Sequence, residues 1–83
     1  MDLEVALRDA IVKICDLPPD RIQRSALLED LGIDSLAVAE IIVELEIQLD
    51  RELPIEMLRR LDQVRTVGNV IDELHSTLDG PMQ

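Results

Sequence analysis

Apolar residues at Leu3, Leu7, Ala10, Ile11 and Ile14 recur at the three- and four-residue spacing of one helix face, and Asp2 stands where a cap belongs. This predicts a first helix over about residues 3–15, which Pro18 and Pro19 stop. The long connection 16–34 is polar, yet its Leu27, Leu28, Leu31 and Ile33 mark a loop pinned to a core. Gly32 supplies a turn before a second helix over about 35–50, opened by Asp34 or Ser35 and closed before Pro54. Ten of the fourteen residues from Leu36 to Leu49 are apolar, more than one inward stripe can use in a small bundle. At 100° per residue Val38, Ile42, Leu45 and Leu49 form the inward stripe, and Leu36, Val43 and Ile47 lie round the helix beside Glu40 and Glu44. One face packs inward, and the other is an apolar strip edged by carboxylates. A short helix over about 55–61 follows Pro54, with Leu58 and Leu61 spaced to pack. Thr66 caps a last helix over about 67–79, whose Val67, Val70, Ile71, Leu74 and Leu78 share a face and which Gly80 and Pro81 end. The expected fold is all-α: a small antiparallel bundle of three main helices and one short helix, without internal repeats.

Length and charge narrow what such a bundle does. Eighty-three residues, 1–83, are expected to form one domain, and chains of this size hide only roughly 60–65% of their unfolded surface. With 47% hydrophobic residues and a mean hydropathy of +0.12 the chain has material for one core. It has no Phe, Tyr or Trp, so the core is aliphatic and stacking platforms for nucleobases are excluded. The net charge is −10, and seven of those ten units fall within residues 29–52, where eight acids face the single base Arg51. Such a chain repels nucleic acid and anionic membranes and is steered toward basic protein surfaces. The N-terminal stretch lacks a basic start and an apolar signal region, and no apolar run approaches spanning length, so a reducing cytoplasm is the expected setting.

Catalytic chemistry finds little support. Cys15, the one cysteine, ends an apolar helical run and reads as a small buried hydrophobe. His75 is the one histidine, which leaves no ordinary triad, no His-rich metal site and no H-E-x-x-H. The acids match no calcium loop, and the pair Glu40 and Glu44 reads as solvated charge on an exposed face. Ser35 stands apart, between Asp34 and Leu36 at the start of the greasy acidic helix. It reads either as a helix cap or as a hydroxyl carrying a phosphate diester, whose charge the helix start favours.

The string Leu28-Glu29-Asp30-Leu31-Gly32-Ile33-Asp34-Ser35-Leu36 resembles the signature of acyl carrier proteins. The resemblance extends over nearly the whole chain, through Glu52-Leu53-Pro54-Ile55 and the run Arg65 to Ile71 that opens the final helix. It implies that Ser35, flanked by Asp34 and Leu36, receives 4'-phosphopantetheine from coenzyme A through a phosphopantetheinyl transferase. The thiol of that arm then holds acyl groups as thioesters for loading, condensing and modifying enzymes. It also implies that the second helix, through Glu40, Val43, Glu44, Glu46 and Ile47 together with Leu36, docks on basic patches of those partners. The carrier is expected to be a stand-alone monomer, without catalytic residues, metal, nucleic acid or membrane.

Three departures bear on the pathway. The Asp34-Ser35-Leu36 triplet is followed by Ala37-Val38-Ala39-Glu40 where many fatty-acid carriers have an acid at once. The stretch from Pro54 to Val67 is long, and Leu49 stands where a Phe is frequent. Together they point to polyketide or other specialised acyl biosynthesis ahead of primary fatty acid synthesis. The alternatives are a peptidyl carrier of nonribosomal synthesis, although the chain has one glycine and an aspartate where those show G-G-x-S, and an acidic helical adaptor in which Ser35 is a plain cap.

Overall fold

The computed structural model describes residues 2–78. Asp2 opens α1 (Leu3–Cys15): its Oδ1 accepts the Glu4 N–H at 2.9 Å. Leu3, Ala6, Leu7, Ala10 and Ile11 bury one face, with Ile14 half-buried at its end. The helix stops at Asp16, which turns left-handed (φ 57°) and donates its N–H to the Val12 carbonyl at 2.9 Å. Pro18 and Pro19 therefore follow the stop rather than make it; an aspartate tolerates this backbone better than most residues.

The connection is pinned, as its leucines predicted, but unevenly. A short 3-10 turn, Pro19–Arg21, leads into Ile22, which is fully buried and whose carbonyl accepts Arg8 Nε–H at 2.8 Å. Leu28, Leu31 and Ile33 join the core, while Leu27 faces outward. The cause is a local strand-like pairing: Leu27 bridges Thr66, so neighbouring side chains alternate and Leu28 takes the inward place. Around that bridge the Leu28 N–H donates to Arg65 O at 2.8 Å, Val67 N–H to Ala26 O at 3.1 Å, and Gly68 N–H to Arg24 O at 2.8 Å. A Cβ at Gly68 would sit 3.0 Å from that Arg24 oxygen, so the close approach requires glycine. Gly32, at φ 75°, makes the turn into the second helix.

That helix, α2, runs Ser35–Leu49 and ends one residue before the expected position, because Asp50 turns left-handed (φ 55°) as its C-cap. Ile41, Ile42 and Leu45 are buried; Val38 and Leu49, expected fully inward, are half-buried, and Ile41 widens the stripe where α1 lies along the helix. In α3 (Ile55–Leu61) Leu61 is buried and Leu58 packs half-buried against the core, as expected, and Met57, which the spacing did not single out, is fully buried. Leu53, Met57 and Leu61 form the one-per-turn row that reaches the core, and the pliable Met57 fills it. In α4 (Val67–Leu78) Val67, Val70, Ile71 and Leu74 are buried as predicted, with Leu78 half-buried. Thr66 Oγ1 accepts Asn69 N–H at 3.1 Å, and Asn69 Oδ1 accepts Thr66 N–H at 3.3 Å, a reciprocal cap. Expected end positions 79–81 lie outside the described residues. α1 packs along both α2 and α4, and α3 along α4, giving an all-helical body of 37 × 24 × 20 Å.

Candidate functional site

The start of α2 settles the local role of Ser35. Asp34 is the cap: its Oδ1 accepts Ala37 N–H at 2.9 Å and its carbonyl accepts Val38 N–H at 2.9 Å. Ser35 is the first helical residue and is exposed, so its hydroxyl is spared from capping. The N–H groups of Ser35 and Leu36 lie in the turn where a helix offers no internal acceptor. Beside them an open groove of about 470 Å³ is lined on its apolar side by Leu27, Leu28, Ile33, Val38 and Val64. Its charged rim comes from Glu29, Asp34, Asp62 and Arg65.

The outward face of α2 carries Leu36, Val43 and Ile47, which are 69%, 55% and 69% exposed, and Ile55 at the start of α3 is exposed too. The carboxylates along the helix are not equivalent. Glu40 is exposed. Glu44 is half-buried: its Oε2 accepts Lys13 Nζ–H at 3.1 Å and Gln48 Nε2–H at 3.2 Å. Those two hydrogen bonds, Gln48 first, hold its carboxyl below the usual range. The sequence expectation of a solvated Glu40 and Glu44 pair therefore fails at Glu44, because Lys13 of α1 lies within reach. Glu46 also turns inward, accepting the Leu53 N–H at 2.8 Å beyond the helix end.

A family model described as the phosphopantetheine attachment site matches residues 5–74. An acyl carrier protein of Bdellovibrio bacteriovorus is 30% identical over 74 residues, covering 88% of this chain and 95% of that protein. One from Campylobacter fetus is 35% identical over 69 residues, covering 82% of this chain and 90% of that protein. The chain belongs to the acyl carrier protein family. A segment of methylphloroacetophenone synthase from Cladonia uncialis is also 33% identical over 63 residues, 76% of this chain but 2% of that large protein.

The cofactor of an acyl carrier protein is 4'-phosphopantetheine, covalently attached, and the residues present fit such a group. An exposed hydroxyl stands at a helix start whose free N–H groups and dipole favour an attached anion. The groove leaves room for a chain to lie against an apolar wall. Cys15, at the end of α1, is half-buried, and burial first, then Glu40 and Asp34, push its thiol up. His75 is exposed on α4. Among the described residues no cluster of three or more His, Cys, Asp or Glu is placed to hold a metal, and no helix is long and apolar enough to cross a membrane. Sequence reading missed the groove residues Leu27, Val64 and Arg65, whose nearness to Ser35 depends on the pairing of residues 26–28 with 65–67. It had a partial signal in the Arg65 to Ile71 run of the family resemblance.

Proposed function

We propose that Ser35 is the attachment residue and that the chain carries acyl groups for polyketide or other specialised acyl biosynthesis. The observation that carries the reading is the division of labour at the helix start: Asp34 caps, and Ser35, one residue on, presents an uncommitted hydroxyl beside an open groove. In the attachment step the Ser35 hydroxyl gives up its proton and bonds to phosphorus, while the nucleotide bisphosphate of coenzyme A leaves. When bound, the arm supplies a thiol that holds acyl groups as thioesters. Asp34 and the first turn of α2 keep the attachment point rigid, and Leu36 lies beside it on the exposed face.

The docking face in this reading is Leu36, Glu40, Val43 and Ile47, flanked by Glu44 and Glu46, and its partners are the transferase and acyl-handling enzymes with basic patches. A small apolar strip with rim charges gives fast, weak association, which suits a shuttle. The pathway reading rests on Ala37 in place of an acid, the lack of aromatic residues, and the likeness to a segment of a non-reducing polyketide synthase from Preussia isomera, 32% identical over 80 residues, 96% of this chain and 3% of that protein. Incubation with coenzyme A, Mg²⁺ and a broad-specificity transferase is expected to add one phosphopantetheine mass to wild type and none to Ser35→Ala. No gain in wild type, or a gain retained in Ser35→Ala, refutes the assignment. Charge reversal at Glu40 is expected to slow partner transfer at low salt, and rates independent of salt would remove the docking role.

A further inference from the structure

Arg65 is the cationic side chain on the rim of the Ser35 groove, where the other charged residues are Glu29, Asp34 and Asp62. Its backbone is fixed on both sides: Asn69 Oδ1 accepts its N–H at 3.3 Å, and its carbonyl accepts the Leu28 N–H at 2.8 Å. Its side chain is exposed. Four other bases are committed to carboxylates, Arg8 to Glu4, Lys13 to Glu44, Arg24 to Asp72 and Glu4, and Arg60 to Glu73. Among the described residues Arg65 takes part in none of these pairs. A pinned backbone thus holds an uncommitted guanidinium at the groove that Ser35 also lines.

Resting on Ser35 as the attachment residue, we propose that the Arg65 guanidinium pairs with the phosphodiester of the arm and so positions the arm along the groove. Attachment places a negative charge among three rim carboxylates in a chain already at −10, and like charges at such range repel. The neighbouring cation offsets that repulsion. A guanidinium suits the task because its planar donors match two phosphate oxygens at once, whereas an ammonium meets them as a point charge. The phosphodiester is present whatever acyl group is loaded, so the contact belongs to every state of the cargo. Arg65 makes and breaks no bond in this scheme; it is a positioning residue.

The test converts wild type, R65Q and R65K to the holo form with coenzyme A, Mg²⁺ and transferase, and reads the mass first. The phosphorus-31 shift of the phosphodiester and the change in Tm from apo to holo are then measured at low and high salt. R65Q is expected to move the phosphorus resonance and to make the apo-to-holo change in Tm less favourable by roughly 1–5 °C at low salt, the scale of an exposed ion pair in a domain this small. R65K should keep part of the effect, and high salt should remove it. Equal phosphorus shifts and equal Tm changes in wild type and R65Q would overturn the proposal while leaving Ser35 untouched. A difference confined to a form loaded with a dicarboxylic acyl unit would overturn the assignment to the phosphodiester. A wild type that gains no mass refutes the attachment reading itself, and is told apart because it precedes both readouts.

Discussion

The two halves of α2 are built from the same residue types and are used in opposite ways. In the first half, Ser35, Leu36 and Glu40 are exposed, and the one polar side chain spent internally is the cap, Asp34. In the second half both acids are committed, Glu44 to Lys13 and Gln48 and Glu46 to the Leu53 N–H, while Asp50 closes the helix through its backbone N–H alone. The apolar residues do not divide this way, since Val43 and Ile47 remain exposed alongside the committed carboxylates. A run of seven excess negative charges is therefore not a uniform field. The start of the helix leaves its charge in solvent, and its end uses charge to hold α1, α2 and the entry to α3 together.

The largest way to sharpen the contrast is to cut both faces of the second half. Leu45→Ala, at a fully buried site, is expected to cost about 2–5 kcal/mol by denaturant unfolding. Ile47→Ala, two residues on and exposed, should change stability by less than about 0.5 kcal/mol yet lower the rate of acyl transfer to a partner. Equal stability losses would erase the division between faces.

A middle-sized test compares acids. Glu46→Ala removes the acceptor of the Leu53 N–H and is expected to cost about 1 kcal/mol. Glu40→Ala should leave unfolding unchanged while slowing partner transfer. Equal unfolding midpoints for the two variants would mean that the internal use of Glu46 contributes nothing to the fold.

The smallest effect is a titration. Because the fold favours the protonated Cys15 thiol, stability from this group is present below the ordinary thiol range and is lost as pH rises through the higher value in the folded chain. Alkylation of Cys15 in the folded protein is therefore expected to be slower than that of the unfolded chain at mildly alkaline pH. Glu40→Gln removes one cause of the shift and should speed it. An unchanged pH profile in that variant would place Glu40 too far from α1 to matter.

The helices were legible because their signals are local. The apolar spacing of Leu3 to Ile11 and of Val67 to Leu74 names the buried faces directly, and Asp2, Asp34 and Thr66 announce the starts. Three things depend on distance instead. Leu27 points outward because Thr66 pairs with its backbone. Glu44 is drawn inward by a lysine of another helix, and Arg65 meets the Ser35 groove through the bonds of a remote loop. The choice between Asp34 and Ser35 as cap was a local ambiguity that the side-chain geometry resolved, and it left the serine uncommitted.

The backbone pairing of residues 24–28 with 65–68 also makes a topological statement. The chain between Ala26 and Val67, which contains Ser35, α2 and α3, is a ring fastened at its base by Ala26, Leu28 and Arg24 on one side and Val67, Arg65 and Gly68 on the other. Closing a ring of that length costs roughly 3 kcal/mol of chain entropy beyond a constant, so the fastening holds only while the whole ring is packed. The amide protons of Leu28, Val67 and Gly68 are thus expected to be protected together and to exchange in a single opening event, with the surroundings of Ser35 kept for as long as that ring stays shut.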